Sequence, residues 1–187
     1  KNNSEALKEC ISSLNFCDEV IVIDDYSEDK SKASATKLGA KVFQRNLDGN
    51  FASQRNFALD KAKGEWVFFV DSDEIVSKDL ANEITQAINK DNAPDGFFIQ
   101  RITFFMGSEL KNVLKNDFVL RLAKRKAGKW VRAVHEYWEI NGEKRQLNSH
   151  LIHNTASSTS DFIAKINSYS ELHAQEIQKE GKRSSVF

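Results

Sequence analysis

Acidic side chains follow two separate apolar segments of the chain, each at the point where the segment ends. In chain order they are Asp24, Asp25, Asp71, Asp73 and Glu74. Carboxylates that meet without compensating cations repel one another, and such a cluster recruits a hard divalent metal with oxygen ligands. If the two segments are strands of one sheet, we expect a Mg²⁺ or Mn²⁺ site here. An Asp-x-Asp pair with such a metal suits a diphosphate group, whose oxygens complete the coordination shell.

The same acids have two other interpretations. An isolated Asp-x-Asp triplet usually consists of turn formers and caps. A receiver-like signalling domain also has an acidic pair after one strand and a phosphoacceptor aspartate after a later one. That domain needs a lysine, usually followed by proline, after a further strand, and the sequence contains no Lys-Pro pair. Two acidic segment ends in one chain favour the metal site.

The elements that must position these acids alternate between helix and strand in the first half of the chain. Apolar residues recur at helical spacing in 4–15, 27–38, 51–64 and 77–88, and strand-like runs lie at 20–23, 41–44 and 65–70. Ser4, Ser27 and Ser77 are the expected helix caps. This order predicts an α/β doubly wound sheet, in which ligands bind at the carboxyl ends of the strands.

The second half of the chain is mostly β-like. Strand-like segments lie at 97–102, 118–122, 130–140 and 146–153, and an amphipathic helix follows at about 160–180. We expect these strands to form a mixed or antiparallel extension of the sheet. The helical pattern that begins at Ser4 has no strand before it, so we also expect an N-terminal strand that this sequence does not include.

Composition excludes several classes of protein. Lys plus Arg total 27 and Asp plus Glu total 27, so there is no basic field that would favour a nucleic acid partner. No segment approaches the roughly 18 apolar residues of a membrane span. Cys10 and Cys17 are too few for a disulfide framework, which favours a cytoplasmic location. Gly-rich phosphate loops and a Gly-x-Ser-x-Gly elbow are absent, which excludes dehydrogenases, P-loop proteins and serine hydrolases.

Four segments carry a resemblance to a known family. They are VIVIDDYSEDKS, GNFASQRNFALDKAKGEWVFFVDSDEIV, WVRAVHEYW and HLIHNT. They resemble the family 2 glycosyltransferases, and within them the bacterial lipopolysaccharide-core β-glucosyltransferase-like branch, over nearly the whole chain. The resemblance implies a GT-A fold, a Rossmann-like sheet with a mixed β extension and a C-terminal helix, here lacking its first strand. It implies a single domain, with a nucleotide-sugar-binding half at 1–95 and an acceptor-side half at 96–187.

The resemblance also implies an activity. It predicts inverting transfer of a hexose from a UDP-sugar to a hydroxyl of a glycan or lipid-linked acceptor, in cell-envelope polysaccharide or lipopolysaccharide synthesis. The alternative is a nucleotidyltransferase of similar fold, which would need a Gly-rich loop with a basic residue after its first strand. A peripheral contact with the inner membrane is a further expectation. The basic cluster that would make it is Lys124, Arg125, Lys126 and Lys129, although such a run is also typical of an exposed turn.

Roles on the donor side follow from the matching residues. Asp25 corresponds to the acid that holds the uridine base or ribose, with Asp24 and Ser27 as neighbours. Arg55 lies in the Gln-Arg-Asn segment, which packs against the nucleotide site in the family. The resemblance implies that Arg55 orients the acids or meets the donor, and the alternative is an ordinary structural ion pair with Asp25 or Asp71.

The acceptor side must supply a general base, because inverting transfer removes a proton from the acceptor hydroxyl. Glu136, in the Val-His-Glu segment after an aromatic strand, is the candidate, and Asp117 is the second choice. The alternative for Glu136 is a strand edge that faces solvent. The resemblance implies that His153 joins Asp71 and Asp73 as a third metal ligand. A structural histidine is the alternative, because Mg²⁺ prefers oxygen ligands, whereas an imidazole would favour Mn²⁺.

Overall fold

The computed structural model describes residues 1–110, 117–156, 158–179 and 181. Helices and strands alternate in the first half, and strands dominate the second half, as the sequence predicts. In chain order the elements are α1 (Ser4–Ser13), β1 (Ile21–Asp24), α2 (Ser31–Lys37), β2 (Lys41–Gln44), α3 (Phe51–Lys61), β3 (Trp66–Phe68), β4 (Glu74–Val76), α4 (Lys78–Ile88), β5 (Gly96–Phe105), β6 (Ser108–Glu109), β7 (Phe118–Lys124), β8 (Gly128–Val131), β9 (Tyr137–Ile140), β10 (Lys144–Ala156) and α5 (Thr159–Lys179). Among these helices, none combines the length and the apolar character that crossing a membrane requires.

The strands fall into three hydrogen-bonded groups. β1 pairs in parallel with β2, and β8 pairs antiparallel with β9. The third group is a mixed sheet in the order β3-β7-β5-β10-β4, with β6 on the edge of β5. Its β5–β10 pair is parallel, whereas β3–β7, β5–β7 and β4–β10 are antiparallel. The α/β class and the mixed extension are therefore confirmed.

One predicted strand is wrong. The segment 130–140 forms two strands of a hairpin rather than one strand, with Trp130 opposite Trp138. The loop between them, at 132–136, contains two residues with positive φ, Arg132 at 73° and His135 at 54°. Non-glycine residues in that region interrupt a strand. The interruption places Glu136 on a loop rather than within an edge strand.

The helix α4 covers one face of the mixed sheet. Ser77 caps it, as expected, by accepting a hydrogen bond from the Leu80 backbone N–H at 3.1 Å. Leu80 and Ile84 are buried against Ile99 of β5 and Leu151 of β10. Burial of large aliphatic side chains of this kind contributes about 1.5–3 kcal/mol each. This packing holds β5 and β10, which support the turn before β4.

An aromatic cluster fixes the β8–β9 hairpin against β3. The rings of Trp130 and Trp138 stack at 5.6 Å, and Phe69 meets both edge-on at 5.0 Å. Both tryptophans are buried. They are therefore core residues, and the hairpin loop that carries Glu136 is held on a rigid base.

Two helix starts differ from the prediction. Ser27 does not cap a helix, because α2 begins only at Ser31, and Asp29 Oδ1 accepts the Ser31 backbone N–H at 2.9 Å. The Ser27 backbone N–H instead donates to both carboxylate oxygens of Asp24, at 3.2 Å each. Ser4 lies inside α1 as its first residue, after Asn3. The polar residues after β1 thus form a tight loop before the helix.

The β1–β2 pair and the mixed sheet are not joined by a backbone ladder within the ranges given above. A cavity of about 1450 Å³ is lined by residues of both parts. Ile21, Val22 and Ile23 are only partly buried, although their apolar run predicts a strand covered on both faces. The N-terminal strand expected from the sequence stays a prediction.

Candidate functional site

The turn between β3 and β4 carries the second group of acids. The Asp71 backbone N–H donates to Glu74 Oε2 at 2.7 Å, and the Glu74 backbone N–H donates to the Asp71 carbonyl at 2.9 Å. The Asn154 backbone N–H in β10 donates to the Asp73 carbonyl at 2.9 Å. These three hydrogen bonds close the turn and tie it to the centre of the mixed sheet. Asp73 therefore has a fixed backbone position.

Two arginines hold the carboxylate of Asp71. Arg55 Nη2 donates to Asp71 Oδ1 at 2.7 Å, and Arg121 Nη2 donates to Asp71 Oδ2 at 2.7 Å. Both guanidinium groups also lie against the ring of Trp130, at 4.6 Å and 5.8 Å from its centroid. Burial by itself raises the pKa of Asp71, but the charges of Arg121 and Arg55 outweigh it and hold that pKa well below its usual range. Asp71 is thus ionised and paired.

A chain of alternating charges extends from Asp71 in both directions. On one side, Arg55 Nε donates to Glu136 Oε1 at 2.8 Å. On the other side, Arg121 Nη2 lies 3.9 Å from Glu74 Oε1, which lies 3.5 Å from Arg101 Nη1. Arg101 Nε then donates to Asp117 Oδ2 at 2.8 Å. The two candidate bases, Glu136 and Asp117, are therefore the two ends of one charge network.

Glu74 is the most deeply buried member of this network, with 0% of its surface exposed. Burial and the neighbouring charge of Asp71 raise the pKa of Glu74 well above its usual range, although Arg121 and Arg101 oppose that rise. A buried carboxylate of this kind stabilises the fold only while its cationic partners remain in place.

Asp73 and His153 form the pair that best fits a metal. Their Oδ1 and Nε2 atoms are 3.8 Å apart. Two atoms that each lie about 2.1 Å from one ion can be at most about 4.2 Å apart, so both can reach the same ion. His153 Nδ1 lies 3.3 Å from the hydroxyl of buried Thr103, which orients the ring.

Within 1–110, 117–156, 158–179 and 181, a third protein ligand does not join this pair. In the part of the chain that the structure describes, no group of three His, Cys, Asp or Glu side chains is arranged to hold a metal ion. Asp71, which was predicted to bind the metal together with Asp73, has both carboxylate oxygens hydrogen-bonded to arginines. A metal at Asp73 and His153 would take its remaining ligands from water and phosphate, which is how Mg²⁺ is usually bound and which Mn²⁺ also accepts.

The acids after β1 order the loop that follows them. Asp24 is buried and, besides the Ser27 N–H, accepts a hydrogen bond from Gln44 Nε2 at 3.1 Å. Asp25 Oδ1 accepts the Leu47 backbone N–H at 3.0 Å. Asp24 therefore has a structural role in the loop, whereas Asp25 is partly exposed at its edge.

One cavity brings most of the predicted site residues together. The residues that line it include Asp24, Asp25, Ser27, Arg55, Asp71, Asp73, Glu136 and His153. Asp117 is not among its lining residues and, in the described contacts, is linked to the site through Arg101. This placement favours Glu136 over Asp117 as the base.

The helix α5 reaches the loop that carries Glu136. The rings of His173 in α5 and His135 in the loop meet edge-to-face at 4.4 Å. Burial lowers the pKa of His135, and the charges of His173 and Arg132 lower it further. The C-terminal helix thus contacts the site through a histidine pair that the sequence did not predict.

The basic cluster is partly engaged in local structure. Lys124 Nζ pairs with Asp95 at 3.1 Å, and Arg125 Nε donates to the Gly64 carbonyl at 3.1 Å. Lys126 and Lys129 are exposed. The cluster is therefore in part a structural turn, and its contact with a membrane stays a prediction.

The chain has relatives among known proteins. The family model of glycosyl transferase family 2 matches residues 1–163. The chain is 31% identical over 202 aligned positions to an uncharacterised glycosyltransferase of Rickettsia conorii, covering 100% of this chain and 71% of that protein. It is 28% identical to the lipopolysaccharide core biosynthesis glycosyltransferase LpsC of Rhizobium meliloti, covering 99% and 72%.

Solved structures share the fold. Residues 1–349 of TarS from Staphylococcus aureus align with a TM-score of 0.60 at 18% identity, covering 91% of this chain and 62% of that chain. Glucosyl-3-phosphoglycerate synthase of Mycobacterium tuberculosis, in complex with Mn²⁺, UDP and phosphoglyceric acid, aligns with a TM-score of 0.58 at 17% identity, covering 98% and 77%. Both are GT-A glycosyltransferases, and the GT-A fold predicted from the sequence is confirmed.

Proposed function

Because the chain belongs to glycosyl transferase family 2, we propose that it transfers a hexose from a UDP-sugar to a hydroxyl group, with inversion and with a divalent metal. The observation that carries this proposal is the cavity that Asp73, His153 and Glu136 line together. It holds a metal-binding pair and a carboxylate base on elements that the charge network ties together. Because the chain belongs to this family, the alternative of a receiver-like signalling domain is excluded.

The donor lies, in this proposal, between the loop after β1 and the turn after β3. Asp25 accepts hydrogen bonds from the uridine base or ribose, beside Ser27, while Asp24 holds the loop. Asp73 and His153 bind Mg²⁺ or Mn²⁺ together with the diphosphate. When bound, the metal stabilises the negative charge that develops on the departing diphosphate.

Glu136 is the proposed general base. Its carboxylate takes the proton of the acceptor hydroxyl as that oxygen forms a bond to the anomeric carbon. The bond from the anomeric carbon to the diphosphate oxygen breaks, and UDP leaves with the bonding electrons. General base catalysis of this kind contributes typically about 10²–10⁴ in rate. Arg55, bonded to Glu136 and Asp71, fixes the base relative to the donor turn.

The acceptor is proposed to be a glycan or a lipid-linked glycan of the cell envelope. The relative LpsC is a lipopolysaccharide core biosynthesis glycosyltransferase, which supports this class. Exposed Lys126 and Lys129 supply positive charge for an anionic acceptor or for a peripheral contact with the membrane surface.

Calorimetry with UDP tests the proposed donor site. UDP should bind more tightly in the presence of Mn²⁺ or Mg²⁺ than in EDTA. Equal affinity with and without metal would contradict metal dependence, and no binding of UDP in either condition would contradict the donor class.

A further inference from the structure

Arg121 is a charged residue in the middle of the apolar strand β7. Only 6% of its surface is exposed, and it lies between Leu120 and Leu122 in sequence. A buried guanidinium is costly unless anions compensate it. Its partners are Asp71 and Glu74, the acids on either side of Asp73. Arg121 Nη2 therefore holds the proposed metal-binding turn by a hydrogen bond to Asp71 and lies 3.9 Å from Glu74 Oε1.

Arg55, in α3, holds the same turn through the other carboxylate oxygen of Asp71. The two arginines use different oxygens of Asp71, each at 2.7 Å, and share the ring of Trp130. Two like charges this close repel, and the carboxylate between them compensates both. Asp71 is held from two elements, α3 and β7, so it cannot rotate without breaking a charge-assisted hydrogen bond.

We propose that Arg121 is a positioning residue for sugar transfer, which fixes the turn carrying Asp73 by holding Asp71 from β7 and by compensating the charge of Glu74. This inference rests on the proposed function, because it concerns the turn that binds metal and diphosphate there. Arg121 acts through the turn and needs no contact with substrate. The side chain of Asp73 does not have to contact Arg121. Its backbone lies between Asp71 and Glu74, and its carbonyl accepts the Asn154 N–H.

The measured quantity is the dissociation constant of UDP without metal divided by that with saturating Mn²⁺. Partial unfolding weakens both affinities equally, so this ratio reports the metal site and not the stability of the chain. Arg121→Gln should lower the ratio about tenfold, as is usual when residues that orient a metal ligand are lost. Arg121→Lys should lower it by a smaller factor, because lysine keeps the charge but not the planar guanidinium that lies 5.8 Å from the Trp130 ring centroid.

Two further variants separate positioning from a purely structural role. Arg145→Gln removes an arginine that pairs only with exposed Glu143 in the described contacts, and it should leave the ratio unchanged. Asp71→Asn/Arg121→Gln also removes the partly buried carboxylate that keeps only Arg55 as its arginine partner in Arg121→Gln. The double variant should be more stable in urea unfolding than Arg121→Gln. Its ratio of UDP dissociation constants should stay as low as in Arg121→Gln.

A wild-type ratio in Arg121→Gln, or full recovery of the ratio in the double variant, would overturn the proposal. If Arg121→Gln does not fold, Arg121→Lys decides, and an unchanged ratio in that variant overturns it. A ratio of one in the wild-type chain would instead contradict the proposed metal-dependent donor site, before any variant is compared.

Discussion

Oδ1 of Asp73 lies 3.8 Å from Nε2 of His153, across the boundary between the β3–β4 turn and strand β10. The two residues are 80 positions apart in sequence. They come together because β4 pairs with β10, with Glu74 opposite His153. The proposed metal site is thus assembled by strand pairing. Its geometry should be insensitive to changes in the surrounding loops.

Asp73→Asn should abolish the part of UDP binding that depends on metal. The amide is a poorer metal ligand than the carboxylate, and a site with few protein ligands cannot replace it. The free energy of unfolding should stay nearly unchanged or rise, because the variant removes repulsion with Asp71 and Glu74. Calorimetry with UDP and Mn²⁺, and urea unfolding, measure the two effects. Asp60→Asn, on the exposed side of α3, is the matched control, and unchanged UDP binding in Asp73→Asn would remove the metal assignment.

Glu136→Gln should keep the affinity for UDP but lose most turnover. Glutamine can still accept the Arg55 hydrogen bond, so the loop should keep its position, but it cannot take a proton. We expect a loss of about 10²–10⁴ in rate. Release of UDP from UDP-glucose, with Asp117→Asn measured in parallel, checks this. Near-normal turnover in Glu136→Gln together with a large loss in Asp117→Asn would transfer the base role to Asp117.

His153→Ala should weaken UDP binding supported by Mn²⁺ more than binding supported by Mg²⁺. Imidazole nitrogen is a better ligand for Mn²⁺ than for Mg²⁺, which prefers oxygen. Thr103→Val removes the hydroxyl beside His153 Nδ1. It should also weaken Mn²⁺-supported UDP binding more than Mg²⁺-supported binding, but by less than His153→Ala does. Calorimetric titrations with each metal provide the test. Equal losses with both metals, or no loss, would count against ligation by His153.

The stability of the chain should fall as the pH falls below the ordinary pKa of histidine. The pKa of His135 is lower in the folded chain than the value of 6.5 it has when unfolded, chiefly because of burial. Between these two values the unfolded chain binds more protons, so acid favours unfolding. His135 is largely exposed, so the effect is small. His135→Asn, which tolerates the positive φ, should reduce the difference between urea midpoints at about pH 5.5 and about pH 8. An undiminished difference would show that other groups cause it.

The sequence predicted the alternating elements and the acidic strand ends because both depend on local patterns. Apolar periodicity located α1, α3, α4 and α5 to within a few residues, and runs of β-branched residues located β1 and β2. The hairpin β8–β9 was missed because its break comes from positive φ at Arg132 and His135, which are residues without a turn signature. Ser27 was misassigned because its hydroxyl accepts the distant Asn2 backbone N–H at 3.1 Å and α2 begins only at Ser31.

Long-range pairing within the site could be predicted only in part. Arg55 was expected to pair with Asp25 or Asp71, and the structure pairs it with Asp71 and also with Glu136. Arg121 was not predicted at all. A lone cation in the apolar segment FVLRLA signals a buried partner, but the identity of that partner depends on the order of strands in the sheet.

The separation of β1 from the mixed sheet has a consequence for amide exchange. The Lys41 N–H donates to the Val20 carbonyl, so Val20 and Val22 turn their peptide groups toward β2. Ile21 and Ile23 turn theirs toward the cavity. Their amide hydrogens should exchange with deuterium faster than that of Val22, although all three residues lie close together in one short strand.

The edge of β3 that faces away from β7 shows the same pattern of peptide groups. The Phe69 N–H donates to the Arg121 carbonyl, so Trp66 and Phe68 direct their peptide groups away from β7. β1 and β3 therefore each present one row of backbone donors and acceptors that has no strand partner in the described ranges. Since no backbone ladder connects the β1–β2 pair to the mixed sheet within the described ranges, the first 45 residues should open as a separate unit at lower free energy than the rest of the chain.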